Sequence, residues 1–593
     1  MMAVPGGLWG QSVAKPNTPS VPGAEPRTYH LRRATGPIQV DGQLNEATWQ
    51  SVDVAQDFWM VYPYDTARSR SRTYVRLTYD AQYLYVGVVC HDSIPLCYVA
   101  TSLRRDFSYP INDAFGVNID PTGDHNYGFN FTISPLGVQR EGLISNGGNF
   151  GVNTRWDNRW LSAVSCTDTA WVAELAIPFK TLRYKPNLRQ WSINFTRNDL
   201  QRNESSAWVG MPRNFNVATL AYTGTLDWDT LPPPPGRNIA LIPYLSGRII
   251  EQYRGETSTA SALRPWDVGL DAKIGITPAL NLDLTFNADF AQVDVDRQVI
   301  NLDRFPLFFP EQRFFFLENY DLFSTFGFSR IRPFFTRRIG LFRGSTVPIL
   351  GGARLSGKLT PDWRLGFMNL QTEGVGALGL PGQNYTVLTS QYQVGSSNLS
   401  AIWVNRQGFD GTRANPEDFS RIVGADYNIF SKDNRLRGKL FYHHSFGPRP
   451  TRHMGATALW LRYQDPRWLL EHNHEYVGRN YLADVGFVPR LGYIRLEPIA
   501  QHNRYPKSGP IRKHGPRLYN DFYFSEDGRQ LNDRTVQPGW YVEFQDNSNA
   551  QLTYEETFIR LTFPFDPSNT GQERLPEGVY AWRRAGFYYN TDY

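Results

Sequence analysis

DVGLDAKIGITPALNLDLTFNADF, residues 267–290, is the stretch whose reading decides the architecture of this chain. Val268, Leu270, Ala272, Ile274 and Ile276 alternate with Asp267, Gly269, Asp271, Lys273 and Gly275. After a turn at Pro278, Leu282, Leu284, Phe286, Ala288 and Phe290 alternate with Asn281, Asp283, Thr285, Asn287 and Asp289. Successive side chains of a strand point to opposite faces, so each run presents one apolar face and one polar face. Two adjacent strands of this kind match the roughly nine to eleven residues that a tilted strand needs to cross a hydrocarbon layer. Weaker alternation recurs at 421–430, 456–463, 539–545 and 557–563, and a generous count gives about fifteen such segments. Alternation alone does not separate lipid from a protein core, and a second large sandwich or a propeller is the soluble alternative. The length and number of the strands favour the membrane. Tyr442, Trp460, Tyr463, Trp540 and Tyr541 lie near strand ends, where they suit interfacial girdles or ordinary core.

The composition agrees with strands. Of 593 residues, 41% are hydrophobic and 14% aromatic, while the mean hydropathy is −0.44. A helical membrane protein needs runs of about 18 apolar residues, and the sequence contains none. A barrel needs no such run, because its strands average lipid-facing with lumen-facing side chains. A net charge of +5, with basic residues spread among many acidic ones, argues against nucleic acid as a partner. Cys90, Cys97 and Cys166 form no C-x-x-C pair, which argues against a disulfide framework or a zinc site. Buried thiols are expected, with one bridge if the compartment is oxidising.

Residues 1–27 read as a leader and the remnant of a signal peptide. Ser12, Val13 and Ala14 give a small-x-small pattern, without a basic n-region or a sustained apolar h-region, and a Pro, Gly, Ser and Ala-rich stretch follows. From 28 to 230, short runs of Val, Ile, Tyr, Phe and Trp are broken by Asp, Gly, Asn and Pro, the pattern of a β-sandwich. One short helix is expected at 44–50, capped by Asn45. Residues 231–237 contain four consecutive prolines, Pro232 to Pro235, and form a linker because proline cannot join a ladder. Residues 238–593 then carry the longer strands.

Ile38, Val40, Asp41, Gly42, Leu44, Glu46 and Trp49 spell a strand end, a tight Asp-Gly turn and a helical turn. Downstream come Val75, Leu77, Tyr79, Asp80 and Leu84, then Asn112, Asp113, Phe115, Val117 and Asp120, and finally Trp171, Glu174, Ile177, Pro178, Phe179 and Trp191. In this order they resemble the family 9 carbohydrate-binding-module-like fold. Asn287, Asp289, Phe290, Gln292 and Asp294, with Phe305, Phe308, Phe309, Pro310, Glu311, Arg313 and Arg337 to Gly340, resemble the uncharacterised DUF5916 barrel domain of Bacteroidota-type proteins. The resemblance implies an all-β chain, with an N-terminal β-sandwich followed by an antiparallel transmembrane β-barrel in the outer membrane. It also implies a barrel incomplete at its C-terminus, since members of the family run further.

A sugar site needs an aromatic platform, and Trp59, Tyr62, Tyr64, Tyr127, Trp156 and Trp160 are the candidates, although such rings more often simply pack. Asp113, Asp120 and Asp124 lie close in sequence around a turn and are candidate calcium ligands. The spacing is not that of an EF-hand loop, and turn-capping is the commoner role. No other cofactor is expected. The Phe-rich block 305–316, with Pro306 and Pro310 inside it, cannot be a central strand and is expected in the lumen or across a mouth. There Arg330, Arg332, Arg337, Arg338 and Arg343 line a constriction that favours anions, or pair with Glu311, Glu318 and Asp321 as turn residues. No G-x-S-x-G, H-E-x-x-H or phosphate-cradling loop occurs, so an enzyme is not the leading expectation. That expectation is an outer-membrane barrel whose sandwich binds an oligo- or polysaccharide for uptake, with lipid and other outer-membrane proteins as further partners. An assembly or secretion component is one alternative, and a secreted polysaccharide-degrading hydrolase of O-glycosyl bonds is another.

Overall fold

The computed structural model describes residue 25 and residues 27–591, except 93–97, 124, 126, 149–150, 155, 157, 183, 185–186, 214, 235–238, 248–250, 255–256, 261–265, 278–279, 289–298, 318, 343–344, 361, 432, 449–450, 547 and 569–573. The fold is nearly all β and falls into two sheet systems.

The first is a sandwich between Thr28 and Trp228. Its opening strand, Thr28–Arg33, serves both sheets: Thr28 to Leu31 pair in parallel with Thr225 to Trp228, and Arg32 and Arg33 pair with Thr78 and Tyr79. Between the sheets lie Leu77, Val86, Phe115, Val117, Phe131, Ile193 and Phe195, none of them accessible to solvent. At one end Trp191 and Trp228 meet edge to face at 4.8 Å, with Phe179 and Tyr184 against them. Each such aromatic removes about 150–250 Å² from water, worth roughly 4–6 kcal/mol.

The Asp41-Gly42 turn and Trp49 are held by one carboxylate. Glu174, 1% exposed, accepts from the backbone N–H groups of Asp41 and Gly42 at 2.9 Å each and from Trp49 Nε1 at 3.0 Å. Gly42 has φ +84°, and a Cβ there would meet the Val164 carbonyl carbon at 2.9 Å. The sequence motif is therefore a latch between the turn, the helix and the strand Ala170–Pro178. The helix is shorter than expected, Ala47–Ser51, and its N-cap is Glu46 with no side-chain cap bond. Asn45 does not cap it. Glu46 instead accepts from Gln39 N–H at 3.0 Å.

The second system is one sheet of 16 strands, from Ile239–Ser246 to Gly578–Asn590, each hydrogen-bonded to the next along the chain. Every pairing is antiparallel. Among the described residues the first and last strands are not paired with one another. The segment 299–348 packs against one face and touches strands far apart in the sheet. Asn319 Nδ2 donates to Ser356 Oγ at 2.8 Å, Gly327 N–H to Asp426 Oδ2 at 2.8 Å, and Arg304 Nη2 to Asp533 Oδ1 at 2.7 Å. Ser356 and Asp533 stand on strands ten apart in the sheet order, and the segment meets both, with Asp426 between them, from one face, as a sheet curled around it allows. The segment, with the C-terminal end of the Phe-rich block, thus lies within the curl as a plug, its Phe316, Phe323, Phe326 and Ile331 packed on Met368, Leu370, Ile402 and Phe441.

The convex face carries a row of large apolar side chains, with polar ones such as His472 and His474 also exposed on it. Tyr392, Leu399, Tyr427 and Leu440 stand opposite one another on four successive strands and are 36–53% exposed. Side chains of the other parity point inward, among them Asp283, Arg354, Asp426 and His443, none more than 2% exposed. Val268, Leu270, Leu284 and Phe286 of the deciding stretch are exposed on the convex side, as the alternation requires. Of the proposed girdle, Tyr442, Tyr463 and Trp540 are exposed. Trp460 instead lines an internal cavity, and Tyr541, which bonds Asn503 at 2.7 Å, shares the inward parity of Asp533 and Glu543. No helix among the described residues is long and apolar enough to cross a membrane.

Candidate functional site

The aromatic candidates do not assemble into one platform. Trp156 is 8% exposed and packs on Phe129 and Phe131, Trp160 is 4% exposed against Phe131, and Tyr127 is 6% exposed against Phe129. Rings enclosed in this way have no face left for a sugar. Trp160 Nε1 also donates to the buried Glu141 at 3.2 Å. Trp59 is half-buried with the Arg68 guanidinium 4.3 Å from its centroid.

Tyr62 and Tyr64 belong to the seam between the two sheet systems. Arg512 stacks over Tyr62 at 3.9 Å, Tyr64 donates its hydroxyl to Gln545 Oε1 at 2.7 Å, and Arg213 stacks over Tyr505 at 3.7 Å. Arg437 lies 5.6 Å from the Phe215 ring and Arg364 5.4 Å from Tyr127. All the large-sheet partners sit at one end, where the strands are joined by connections of two to eight residues, such as 395–396, 431–435, 503–510 and 545–548. The opposite end carries the long connections, including 247–266, 478–492 and 562–577.

The calcium candidates do not converge. Asp113 precedes the strand Ala114–Asp120 and Asp120 ends it, so at about 3.3 Å per residue the two are on the order of 20 Å apart. Asp113 accepts from the N–H groups of Val99 and Leu200, at 2.8 and 2.7 Å. Asp120 caps its turn, accepting from Thr122, Gly123 and His125 N–H at 2.8–2.9 Å. Asp124 lies outside the described residues. Among the described residues no cluster of His, Cys, Asp or Glu is arranged to hold a metal. Burial pushes the Asp113 carboxyl up to about 6, against the pull of its two backbone donors. Cys90 is a buried free thiol, pushed by burial up to about 12, while Cys166 is an exposed free thiol rather than a buried one. Cys97 lies outside the described residues.

The proposed constriction residues divide. Glu311, 1% exposed, pairs with Arg313 at 2.7 Å, Arg337 donates to the Pro310 carbonyl at 2.9 Å, and Arg338 to that of Gly486 at 3.1 Å. These are latches of the plug, and none of them lines either of the two cavities of about 820 and 460 Å³ beside it. Glu318 and Arg343 lie outside the described residues. Arg330 and Arg332 do line a cavity of about 820 Å³ between the plug and the wall, and Arg330 also lines a second of about 460 Å³. The wall of the larger cavity adds Trp460, expected in a girdle, and Arg437, Lys439, Glu475 and Arg495, which the sequence did not single out. Their signal was present in the alternation of Arg437, Lys439 and Phe441 with Leu436, Gly438 and Leu440.

Residues 40–222 match the model of the family described as carbohydrate family 9 binding domain-like, and residues 234–349 match the domain of unknown function DUF5916. The chain thus matches a family 9 binding-like domain over its sandwich and a DUF5916 domain over the segment that follows. A family 9 carbohydrate-binding module from Caldicellulosiruptor kristjanssonii in complex with cellotriose is 13% identical, with a TM-score of 0.25, covering 34% of this chain and 93% of the module. A putative carbohydrate-binding protein from Bacteroides uniformis ATCC 8492 is 14% identical, with a TM-score of 0.28, covering 34% of this chain and 99% of that one. The C. kristjanssonii module in complex with glucose is 14% identical, with a TM-score of 0.24, covering 34% and 100%. Among curated proteins no match is found.

Proposed function

We propose that this chain is an outer-membrane β-barrel protein whose sandwich binds saccharide on the periplasmic side and delivers it to the lumen. The reading is carried by the reversed polarity of the large sheet. Its convex face bears Leu399, Val423, Tyr427 and Leu440, exposed by 36–50%, whereas the ion pairs Asp283–Arg354 and Glu475–Arg495 are shut inside. A soluble sheet hides its apolar side chains and wets its charges; a barrel in lipid does the opposite. Outer-membrane barrels carry short turns on the periplasmic side and long loops outside. Docking of the sandwich at the short-turn end supports a periplasmic position for it. The family 9 match over 40–222 supports a saccharide as its ligand.

The test is expression with an intact signal peptide, followed by membrane flotation, gel migration before and after boiling, and titration of the purified full chain with cello-oligosaccharides. Flotation with outer membranes, faster migration unboiled and a saturable heat of binding are expected. A chain that stays in the soluble fraction overturns the membrane reading, and one that binds no saccharide overturns the ligand class.

A further inference from the structure

The wall of the larger cavity is densely charged, and nearly every charge is matched. Lys439 Nζ lies 3.4 Å from Asp426, Arg462 Nε donates to Glu471 at 2.8 Å, and Arg495 is shared among Glu475, Glu497 and Asp521 at 2.8–3.0 Å. Two cations break the pattern. Arg437 is 8% exposed; its guanidinium lies 5.6 Å from the Phe215 ring of the sandwich, and its hydrogen bond runs from Nε to the Asn434 carbonyl at 3.1 Å. Arg330 stands on the plug where the two cavities adjoin. Among the described residues neither has a carboxylate within 4 Å.

A guanidinium does not release its proton, so Arg437 carries a full charge into a site mostly closed to water. Burying a charge is costly unless an opposite charge completes it, and the planar fork of arginine matches a carboxylate in bidentate fashion. The remaining lining suits a hydroxylated ring. Trp460 and Tyr519 supply aromatic surface, and Asn428 donates to Asn398 Oδ1 at 2.8 Å while its own carbonyl oxygen stays unengaged. A volume of about 820 Å³ lies within the usual range for small-molecule sites.

We propose that this cavity binds an acidic sugar, with the carboxylate on Arg437, the hydroxyls on Asn428, and the exposed Arg330 as a second cation in the same cavity. A neutral sugar leaves Arg437 uncompensated, and a bare anion leaves the aromatic and amide surface unused. The inference rests on the barrel reading and deepens it by naming the substrate class.

Titration of the full chain in detergent with glucuronate, with glucose and inorganic phosphate as comparisons, tests it. The glucuronate binding that the Arg437→Gln variant loses is expected to be at least tenfold tighter than any glucose or phosphate binding it loses, so that saccharide held by the sandwich cancels, and to weaken as salt rises. Arg437→Gln and Arg330→Gln are each expected to lower glucuronate affinity at least tenfold, and Arg437→Lys to restore part of the loss. Every variant is run unboiled and boiled on a gel, so a misfolded Arg437 variant is recognised and the Arg330 variant decides. Absence of glucuronate binding, folded Gln variants that lose as much glucose or phosphate binding as glucuronate binding, or folded Gln variants that bind glucuronate as the wild type does each overturn the proposal. A wild type that shows no gel shift overturns the barrel reading, while the titration still judges the cavity.

Discussion

Arg354 Nη2 donates to Asp283 Oδ2 at 2.8 Å across two neighbouring strands, and the two side chains are 0% and 2% exposed. The pair stands on the concave face, while Leu284, next to Asp283, is 38% exposed on the convex one. Removing one partner leaves a buried charge uncompensated, at a cost of about 3–5 kcal/mol. Arg354→Met is therefore expected to lower the temperature at which the folded gel band disappears. The double variant Arg354→Met with Asp283→Leu is expected to recover most of the loss. A single variant as heat-stable as the wild type contradicts the pairing.

On the convex face the same change acts through lipid. Leu440→Arg places a cation where the wild type presents an apolar side chain 48% exposed, and the expected destabilisation is about 2–4 kcal/mol near the bilayer midplane. Ser396→Arg, in the connection 395–396, is expected to cost close to nothing. Urea titration of both variants in lipid vesicles gives the comparison, and equal midpoints count against a lipid-facing wall.

Asp113 gives the sandwich a pH signature. Its carboxyl rises from 3.8 to about 6 through burial, opposed by the Leu200 and Val99 donors, with Asp199 and Arg197 nearby. Between those values the folded chain holds a proton that the unfolded chain has released. This group's contribution is therefore fully present below 3.8 and is lost as pH rises through about 6. Asp113→Asn is expected to flatten that decline. Near-ultraviolet melts across the window read the difference between variant and wild type, and parallel pH profiles rule the effect out.

Much of this was legible in the sequence because it depends on period and local chemistry. The alternation from Asp267 to Ala288 fixes which side chains share a face, and the Asp41-Gly42 turn with Glu174 marks the sandwich because one carboxylate must meet three donors. What depends on packing between distant strands was not legible. Trp156 and Trp160 read as a platform until Phe129 and Phe131 close over them. Asp113 and Asp120 are near in sequence, but a strand stretches that spacing along its axis. Arg437 looks like any inward cation until the register shows that its neighbours Lys439 and Arg462 have taken the carboxylates.

The seam between the domains uses two reciprocal stacks, Arg213 of the sandwich on Tyr505 and Arg512 of the large sheet on Tyr62. Each is worth about 0.5–2 kcal/mol depending on its desolvation. Arg213→Ala with Arg512→Ala is expected to free the sandwich and speed proteolytic cutting in the Pro-rich linker 231–237 several-fold. An unchanged cutting rate means that the stacks do not hold the docking.

The most direct measurement is the collision accessibility of a nitroxide at Val423, which stands 50% exposed on the convex face, compared with one at Thr412 in the connection 411–412, in reconstituted vesicles. A wall that faces lipid gives the Val423 label high accessibility to oxygen and low accessibility to a water-soluble nickel chelate, with the reverse at Thr412. Nickel accessibility at Val423 equal to that at Thr412 contradicts a membrane-spanning sheet.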